Sequence, residues 1–396
     1  MKRTSLLAVL APVCGVLALL ILLPAPALAD GFKLVSGPGA DPECFKAWTP
    51  TTQYLQFPKK QGPYRIALDN GFIGNGWRIQ MIQSAKAYAA QPEVKAQLKE
   101  FKVISTGEDL PAQIAAANNF IDAGYDAVIV NALNPTAFAP VAKRAKKAGV
   151  VLLSFDNVIE SPDNITVNVD QVQLGKIAAR WLLKEIGTAS AGGVGSAATG
   201  DAGGGLRLLE IRGPSGNSVD RDRHQGFHEV LDKSGRKFEV VEVVGKWDDG
   251  TGQKAAADAI AVHKHFDGVY TQGGSTGAVR ALLDSGHPMI PIAGETENGF
   301  RKLCEQYASK GLHCSSAGTG PAQVAVTIKA ALTALNGEKV PQSIALPTSY
   351  VEYPNIKAGT DFYPDLADSF FVGNSFEACK IGFTAQEIMA KTGKNE

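Results

Sequence analysis

The sequence predicts an α/β protein built as two doubly wound parallel-sheet lobes joined by a hinge. Three observations carry this. Short apolar runs alternate with stretches of helical spacing. The apolar runs are near-continuous rather than alternating. The whole pattern stops at a Gly/Ala/Ser-rich stretch and then starts again. A strand that is apolar on both faces belongs in a parallel sheet covered by helices.

In the first half, RIAL (65–68), FKVIS (101–105), DAVIVN (126–131) and VVLLSFD (150–156) read as strands. Residues 77–90, 110–123 and 138–148 carry helical spacing between them. In the second half, LRLLEIRG (206–213), FEVVEVVG (238–245), DGVYTQ (267–272) and MIPIAGE (289–295) alternate with helices over 221–233, 253–263 and 276–284. AGYDAVIVN (123–131) and KHFDGVYTQ (264–272) look alike, each with an Asp before an apolar strand that ends in a polar residue. A helix over 321–335 is expected to cross back to the first lobe. The expected organisation is a leader (1–29), an N-terminal arm (30–61), lobe 1 (62–170 plus about 319–348), lobe 2 (171–318 plus about 349–365) and a tail (366–396) that the pattern leaves unplaced.

Lys2 and Arg3, an apolar run from Leu6 to Leu23, and Ala27-Leu28-Ala29 before Asp30 have the three-part layout of a secretory signal cleaved after Ala29. A retained membrane anchor is the alternative. A lipoprotein at Cys14 is disfavoured by Val13 before it. With 39 basic and 39 acidic residues, and no basic stripe, nothing suggests a nucleic-acid partner. Cys44, Cys304, Cys314 and Cys379 remain after the leader, an even number that reads as disulfides in an exported chain. Cys304 with Cys314 closes a short loop, which leaves Cys44 to tie the arm to Cys379 in the tail. Metal ligation is the alternative, against which there is no CxxC pair and no tight Cys/His cluster. The Gly-rich insertion 188–205 lacks the Gly-Lys-Ser/Thr of a phosphate loop.

Ligands of open parallel sheets bind beyond the carboxyl ends of the strands. Those ends deliver Asn75, Trp77, Arg78, Asn131, Asp156 and Asn157 in the first half. In the second half they deliver Arg221, Trp247, Asp248, Gln272, Gly273, Gly274 and Glu295. Flat indoles can cover the C–H faces of a sugar, and Asp, Asn and Arg can bond its hydroxyls. Taken singly, each has a plainer role: Asp156, Asn157 and Glu295 as caps, Trp77 as core, Arg221 as a surface partner of Asp220 or Asp222, Trp247 as loop packing.

The chain resembles the type I periplasmic sugar-binding proteins of ABC importers, in their ribose-binding branch. The resemblance is carried by IALDNGFIGNGWR (66–78), DAVIVNALNPTAFAPVAKRAKKAGVVLLSFDN (126–157), NVDQVQLGKIAARWL (168–182), DRDRHQGFHEVL (220–231) and FDGVYTQGGSTGAVRALLDSG (266–286). It implies a non-catalytic monomer without a cofactor that closes on a monosaccharide or polyol and presents it to an importer permease. It implies ligand contacts at Asn75, Trp77, Asn131, Asp156, Arg221, Trp247 and Glu295, with Thr319 at a crossover, and Gly-Trp-Arg (76–78) resembles the branch that binds furanose sugars. Two departures are Gly273, where ribose binders carry Asn, and Asn157, where an Arg often follows the Asp.

Two other readings compete. The receptor could report to a membrane kinase instead of an importer. Alternatively, Gly273-Gly274-Ser275-Thr276-Gly277 fits the Gly-x-Ser-x-Gly of a hydrolase, with Glu295 or Glu297 and His313 completing the order. His224 and His228 lie four apart, but Gln225 breaks the HExxH pattern, and His263 and His265 would point apart on a helix. No metal site is expected.

Overall fold

The computed structural model describes residues 31–190 and 205–395. The leader with its cleavage point, the anchor alternative, Cys14 and most of the Gly-rich insertion lie outside the described residues. Among the described residues, no helix is long and apolar enough to cross a membrane.

The arm is not a loose leader to the fold. Its strands β1 (Lys33–Val35) and β2 (Tyr54–Gln56) pair antiparallel with each other, and β2 pairs again with β13 (Lys339–Pro341). Phe32, Phe45, Leu55 and Phe57 of the arm are buried in the core of the first lobe.

That lobe runs β3 (Tyr64–Asn70), α1 (Gly76–Ala89), the single turn α2 (Pro92–Lys95), β4 (Leu98–Ser105), α3 (Leu110–Asp122), β5 (Ala127–Asn131), α4 (Ala139–Ala148), β6 (Val151–Phe155) and β7 (Ile165–Asn168). With β14 (Ser343–Ala345) these strands form one all-parallel sheet in the order β14-β7-β6-β5-β3-β4. The second lobe runs α5 (Gln171–Ser190), β8 (Leu206–Arg212), α6 (Ser218–Lys233), β9 (Phe238–Val244), α7 (Asp249–His263), β10 (Gly268–Thr271), α8 (Ser275–Ser285), β11 (Ile292–Gly294), α9 (Asn298–Tyr307) and β12 (Cys314–Gly318). Its sheet has the order β15-β12-β11-β10-β8-β9, parallel except for β15 (Ser349–Glu352). Apolar strands covered on both sides explain why β5 and β6 are buried at every residue.

The internal likeness seen in the sequence is a shared hydrogen-bond device. In lobe 1 the Asp126 carboxylate accepts the Arg65 N–H at 2.9 Å, while the Arg65 side chain bonds Glu100 at 2.8 Å and the Ala123 carbonyl at 2.6 Å. In lobe 2, Asp267 accepts the Arg207 N–H at 2.7 Å, while Arg207 bonds Glu239 at 2.9 Å and the His263 carbonyl at 3.2 Å. One arrangement starts both sheets, at their amino ends and away from the tips that carry polar residues.

The chain passes between lobes after β7, again from β12 into α10 (Gln323–Leu335), whose buried residues belong to the lobe 1 core, and a third time from β14 to β15. The tail adds a fourth passage. Asp368 pairs with Arg280 at 2.6 Å on lobe 2, and Phe371 forms a β-bridge with Glu297 there. The same Phe371 donates its N–H to Gln80 of α1 and accepts from it, both at 2.8 Å. Beyond it, β16 (Ser375–Phe376), β17 (Ile381–Gly382) and α11 (Ala385–Met389) follow, and Phe376, Cys379 and Ile381 join the lobe 1 core.

Both disulfides expected from the sequence are present, Cys44–Cys379 across 335 residues and Cys304–Cys314 across 10. Cross-linking restricts the unfolded chain more when the closed loop is longer. We expect the Cys44→Ser/Cys379→Ser variant to lose about 2–4 kcal/mol of stability in urea titrations, more than Cys304→Ser/Cys314→Ser, and to release its tail to protease first.

Candidate functional site

The carboxyl ends of both sheets converge on one cleft of about 390 Å3, including its open mouth. In each sheet the chain winds outward from a central strand in both directions, from β3 in lobe 1 and from β8 in lobe 2, and a crevice opens at that switch point. Asn75, Trp77, Arg78 and Asp156 line the cleft from lobe 1. Val219, Arg223, Trp247, Gln272, Gly273 and Glu295 line it from lobe 2, and Phe371 from the tail.

Asn75 sits there because it caps α1, its side chain accepting the Arg78 N–H at 2.9 Å. Trp77 follows on the first turn, half against the lobe 1 core, with its indole N–H on the Thr319 carbonyl at 3.3 Å. Arg78 is buried, bonds Asn70 at 2.8 Å and stands 3.9 Å from Asp156. Burial lowers its guanidinium to about 10, with Asp156 pulling the other way. Asp156 ends β6 at φ 54°, a left-handed conformation uncommon for a residue with a side chain. Burial pushes its carboxyl up, against the charges of Arg78 and then Arg223.

From the other side, Arg223 pairs with Glu295 at 2.5 Å, donates to the Gln272 carbonyl at 2.6 Å and to Gln171 at 2.8 Å. Burial acts to lower its guanidinium, but the charge of Glu295, helped by Tyr270, by Asp156 and by the hydrogen bond to Glu295, outweighs this and the net shift is upward. Burial raises Glu295 in turn, with Arg223 opposing. A line of amides joins this pair to lobe 1 through the first crossing. Gln171 donates to Asn168 at 3.1 Å, and Asn168 donates to the Asp156 carbonyl at 3.0 Å.

Trp247 has φ 57° and packs its ring against the backbone of Gly213. Gly273, at φ 155°, lies beside it: a Cβ there would stand 3.1 Å from two Trp247 atoms. This accounts for the glycine where ribose binders carry Asn. A side chain there would strain the backbone and push the indole back by a few tenths of an ångström.

Six of the ten residues expected from the sequence thus meet in the cleft. Asn131 is fully buried beneath the lining, where its side chain helps hold down the Asp156 carboxyl. Asn157 is buried behind the cleft, its carbonyl accepting the Ala132 N–H at 2.9 Å. Thr319 acts through its carbonyl on Trp77.

Arg221 is a correction: it is half-exposed and bonded to Glu160 of lobe 1 at 2.7 Å and to Asp222 at 2.8 Å. Arg223 holds the interior place. The helix period decides this, since Val219, Arg223, Phe227 and Leu231 form the buried stripe of α6, and Arg221 points some 200° away. That stripe was the signal available in the sequence. Phe371 had no such signal, because only the fold brings the tail to the cleft.

The rim carries interlobe ion pairs, Arg221–Glu160 and Lys246–Glu108 at 3.3 Å. Inside, each lobe contributes one arginine and one carboxylate. Among the described residues, Trp247 Nε1 and Gln272 Oε1 are buried without a hydrogen-bond partner.

The hydrolase alternative has no geometry to support it. Ser275 is fully buried with its hydroxyl accepting the Glu295 N–H at 2.9 Å. His313 bonds Glu185 at 2.9 Å and stacks on Tyr353.

Residues 66–339, well over half of the chain, match the family model described as a periplasmic binding protein domain. The chain belongs to that family. It is 27% identical over 161 residues to the galactofuranose-binding protein of Escherichia coli K12, covering 40% of this chain and 44% of that protein. It is 22% identical over 261 residues to the ribose import binding protein of Bacillus subtilis 168, covering 65% of this chain and 78% of that one. Among solved structures, an ABC transporter solute binding protein from Thermobispora bispora superposes with a TM-score of 0.69 at 24% identity, covering 80% of this chain and 93% of that one. That likeness is one of fold, including the α/β architecture in two parallel-sheet lobes.

Behind the cleft, the first turn of α8 meets two acids of this family member. Glu297 accepts the N–H groups of Ser275 at 2.9 Å and Thr276 at 2.8 Å, and Asp249 accepts that of Gly277 at 3.2 Å. Burial first, and the charge of Glu297 second, push Asp249 up to about 7. A carboxyl raised on folding favours the protonated native state, so its contribution to stability is greatest below the ordinary value of 3.8 and falls as pH rises towards 7. Asp249→Asn is expected to raise the melting temperature at pH 8 by a few degrees and to leave it nearly unchanged at pH 4, as read by calorimetry.

Proposed function

We propose that this protein is an exported receptor that captures a neutral monosaccharide, or a polyol of similar size, and delivers it to an ABC importer. One observation carries the reading: a single cleft between the lobes holds two arginines, two carboxylates and two indoles, with its charges already balanced. A balanced site has no net attraction for an anion. It offers forked donors from Arg78 and Arg223 and acceptors from Asp156 and Glu295, which suits a rim of hydroxyls. Trp77 and Trp247 suit the C–H faces of a ring. A buried hydroxyl or amide left unpaired costs about 1–3 kcal/mol, which favours a ligand that reaches Trp247 Nε1 and Gln272 Oε1. The likeness to galactofuranose- and ribose-binding proteins agrees, and it puts furanose sugars among the first ligands to test.

In this reading, residues 62–170 with 319–348 and residues 171–318 with 349–365 move as the two lobes of a monomer. Ligand binds one lobe first, and closure then completes its hydrogen bonds and excludes water. The closed form differs from the open one in what it offers a membrane permease, so ligand drives delivery by favouring that state. The protein binds without turnover. The leader is cut after Ala29, so the mature periplasmic chain begins at Asp30.

The test is a thermal-shift screen against pentoses, hexoses, furanose sugars, polyols and sugar phosphates. A neutral sugar or polyol present at a hundredfold its Kd stabilises the folded state by about 2.7 kcal/mol. No response to any neutral member, or a stronger response to phosphates, overturns the reading. With the ligand found, calorimetry is expected to show at least tenfold weaker binding, about 1.4 kcal/mol, for Arg223→Ala and for Trp247→Ala. Arg221→Ala, an exposed rim pair worth about 0–1 kcal/mol, should stay within roughly fivefold.

A further inference from the structure

On the far side of α6 from Val219 and Arg223, lobe 2 carries a second set of polar side chains that sugar capture does not use. Glu210 lies in the middle of β8 and Glu242 in the middle of β9, and the two are register partners on adjacent parallel strands. Their side chains therefore leave the sheet on the same face, side by side. Like charges so placed repel each other unless something positive lies between them. What faces them is a pair of imidazoles one helical turn apart on α6. His228 Nε2 is 2.9 Å from the Glu210 carboxylate and His224 Nδ1 is 3.0 Å from it, with Glu242 4.0 Å from His224. One potential ligand atom from each of the four residues lies within 4.8 Å of all the others. Glu210 is fully buried, while both histidines are about one-quarter exposed and Glu242 is open at the edge, so an ion could enter from solvent. Arg212 fixes Glu242 at 2.7 Å and is itself anchored by Asp220 at 2.8 Å.

We propose that Glu210, His224, His228 and Glu242 form a binding site for one divalent transition-metal ion of the zinc class. Nitrogen and carboxylate ligands about 2.0–2.2 Å from a tetrahedral zinc stand roughly 3.3–3.5 Å from one another. The two His–Glu210 separations fall a few tenths of an ångström short of that edge and His224–Glu242 at 4.0 Å exceeds it by about as much, so the ion needs the rings to open slightly and Glu242 to close in. Two imidazoles and carboxylate oxygen suit zinc, whereas an all-oxygen set would suit calcium or magnesium. The site is built on two strands and a helix that also carries Arg223, and it is separate from the cleft lining.

The test uses the tag-free mature chain, stripped with chelator and titrated with zinc chloride in a calorimeter. One zinc per chain at micromolar affinity or tighter is expected. His224→Asn/His228→Asn, in which each amide can still donate to the buried Glu210, should weaken binding at least a hundredfold while the circular dichroism spectrum of the metal-free chain stays near wild type. If that variant fails to fold, cobalt(II) added to the wild-type chain decides: the intense visible absorption of a four-coordinate site supports the proposal, and the weak absorption of a six-coordinate aquo-like ion overturns it. Absence of stoichiometric zinc on the wild-type chain, or unchanged binding in the double variant, also overturns it.

Discussion

The buried pair between Arg223 and Glu295 is the contact on which the cleft depends. Taking two charges out of water costs several kcal/mol per ion, and attraction between them offsets this only when the remaining donors and acceptors are also met. Arg223 meets its own by bonding the Gln272 carbonyl and Gln171, which ties α6 to the tip of β10 and to the start of α5. Burial raises the Asp156 carboxyl, which belongs to the other lobe, and after Arg78 the same Arg223 guanidinium opposes that rise. A single side chain therefore holds three elements of lobe 2 in register and reaches across the hinge electrostatically. Losing it would leave Glu295 buried without a counter-charge.

Trp247 and the Asp156 carboxylate are placed by backbone rather than by side-chain packing alone. Trp247 and Asp156 both adopt left-handed φ values, a local cost of the kind that collects at functional sites. The Trp247 ring lies where a Cβ on Gly213 would stand 2.3 Å away, and a Cβ on Gly273 would press on it at 3.1 Å. The glycine that departs from the ribose-binding pattern and the indole beside it are thus one feature, and they reshape the lobe 2 wall together.

The lobes share a scaffold and offer the cleft the same kinds of group from different places. The Asp–Arg–Glu device at the start of each sheet repeats almost atom for atom, while the arginine, carboxylate and indole of each lobe sit at unlike positions beyond its strands. The tail then departs from a simple two-lobe plan. It crosses the hinge beside α10, hydrogen-bonds to both lobes through Phe371, and is stapled to the arm by Cys44–Cys379. A fourth connection leaves fewer directions in which the lobes can part.

Local chemistry made much of this legible before any coordinates. Apolar periodicity marked the strands and helices of both sheets. An even cysteine count with one short loop led to both disulfide pairs. The rule that ligands sit at strand tips led to Asn75, Trp77, Arg78, Asp156, Trp247 and Glu295, because each lies within a few residues of a strand end. What failed was whatever depended on direction or on distant chain. Arg221 and Arg223 are equally polar and two residues apart, and only helix phase against the packed sheet decides which one turns inward. β7 (ITVN), β12 (CSSAG), β14 (SIA) and β15 (SYVE) carry too few consecutive apolar residues to read as buried strands. Phe371 lies 76 residues beyond Glu295 in the sequence, and the four residues of the His–Glu cluster are spread over three elements. Sequence determined the elements and the chemistry at their ends, because those follow from side-chain type and short-range spacing. Tertiary structure alone decided which polar groups share a desolvated space, because that is set by how sheet, helix and tail close upon one another.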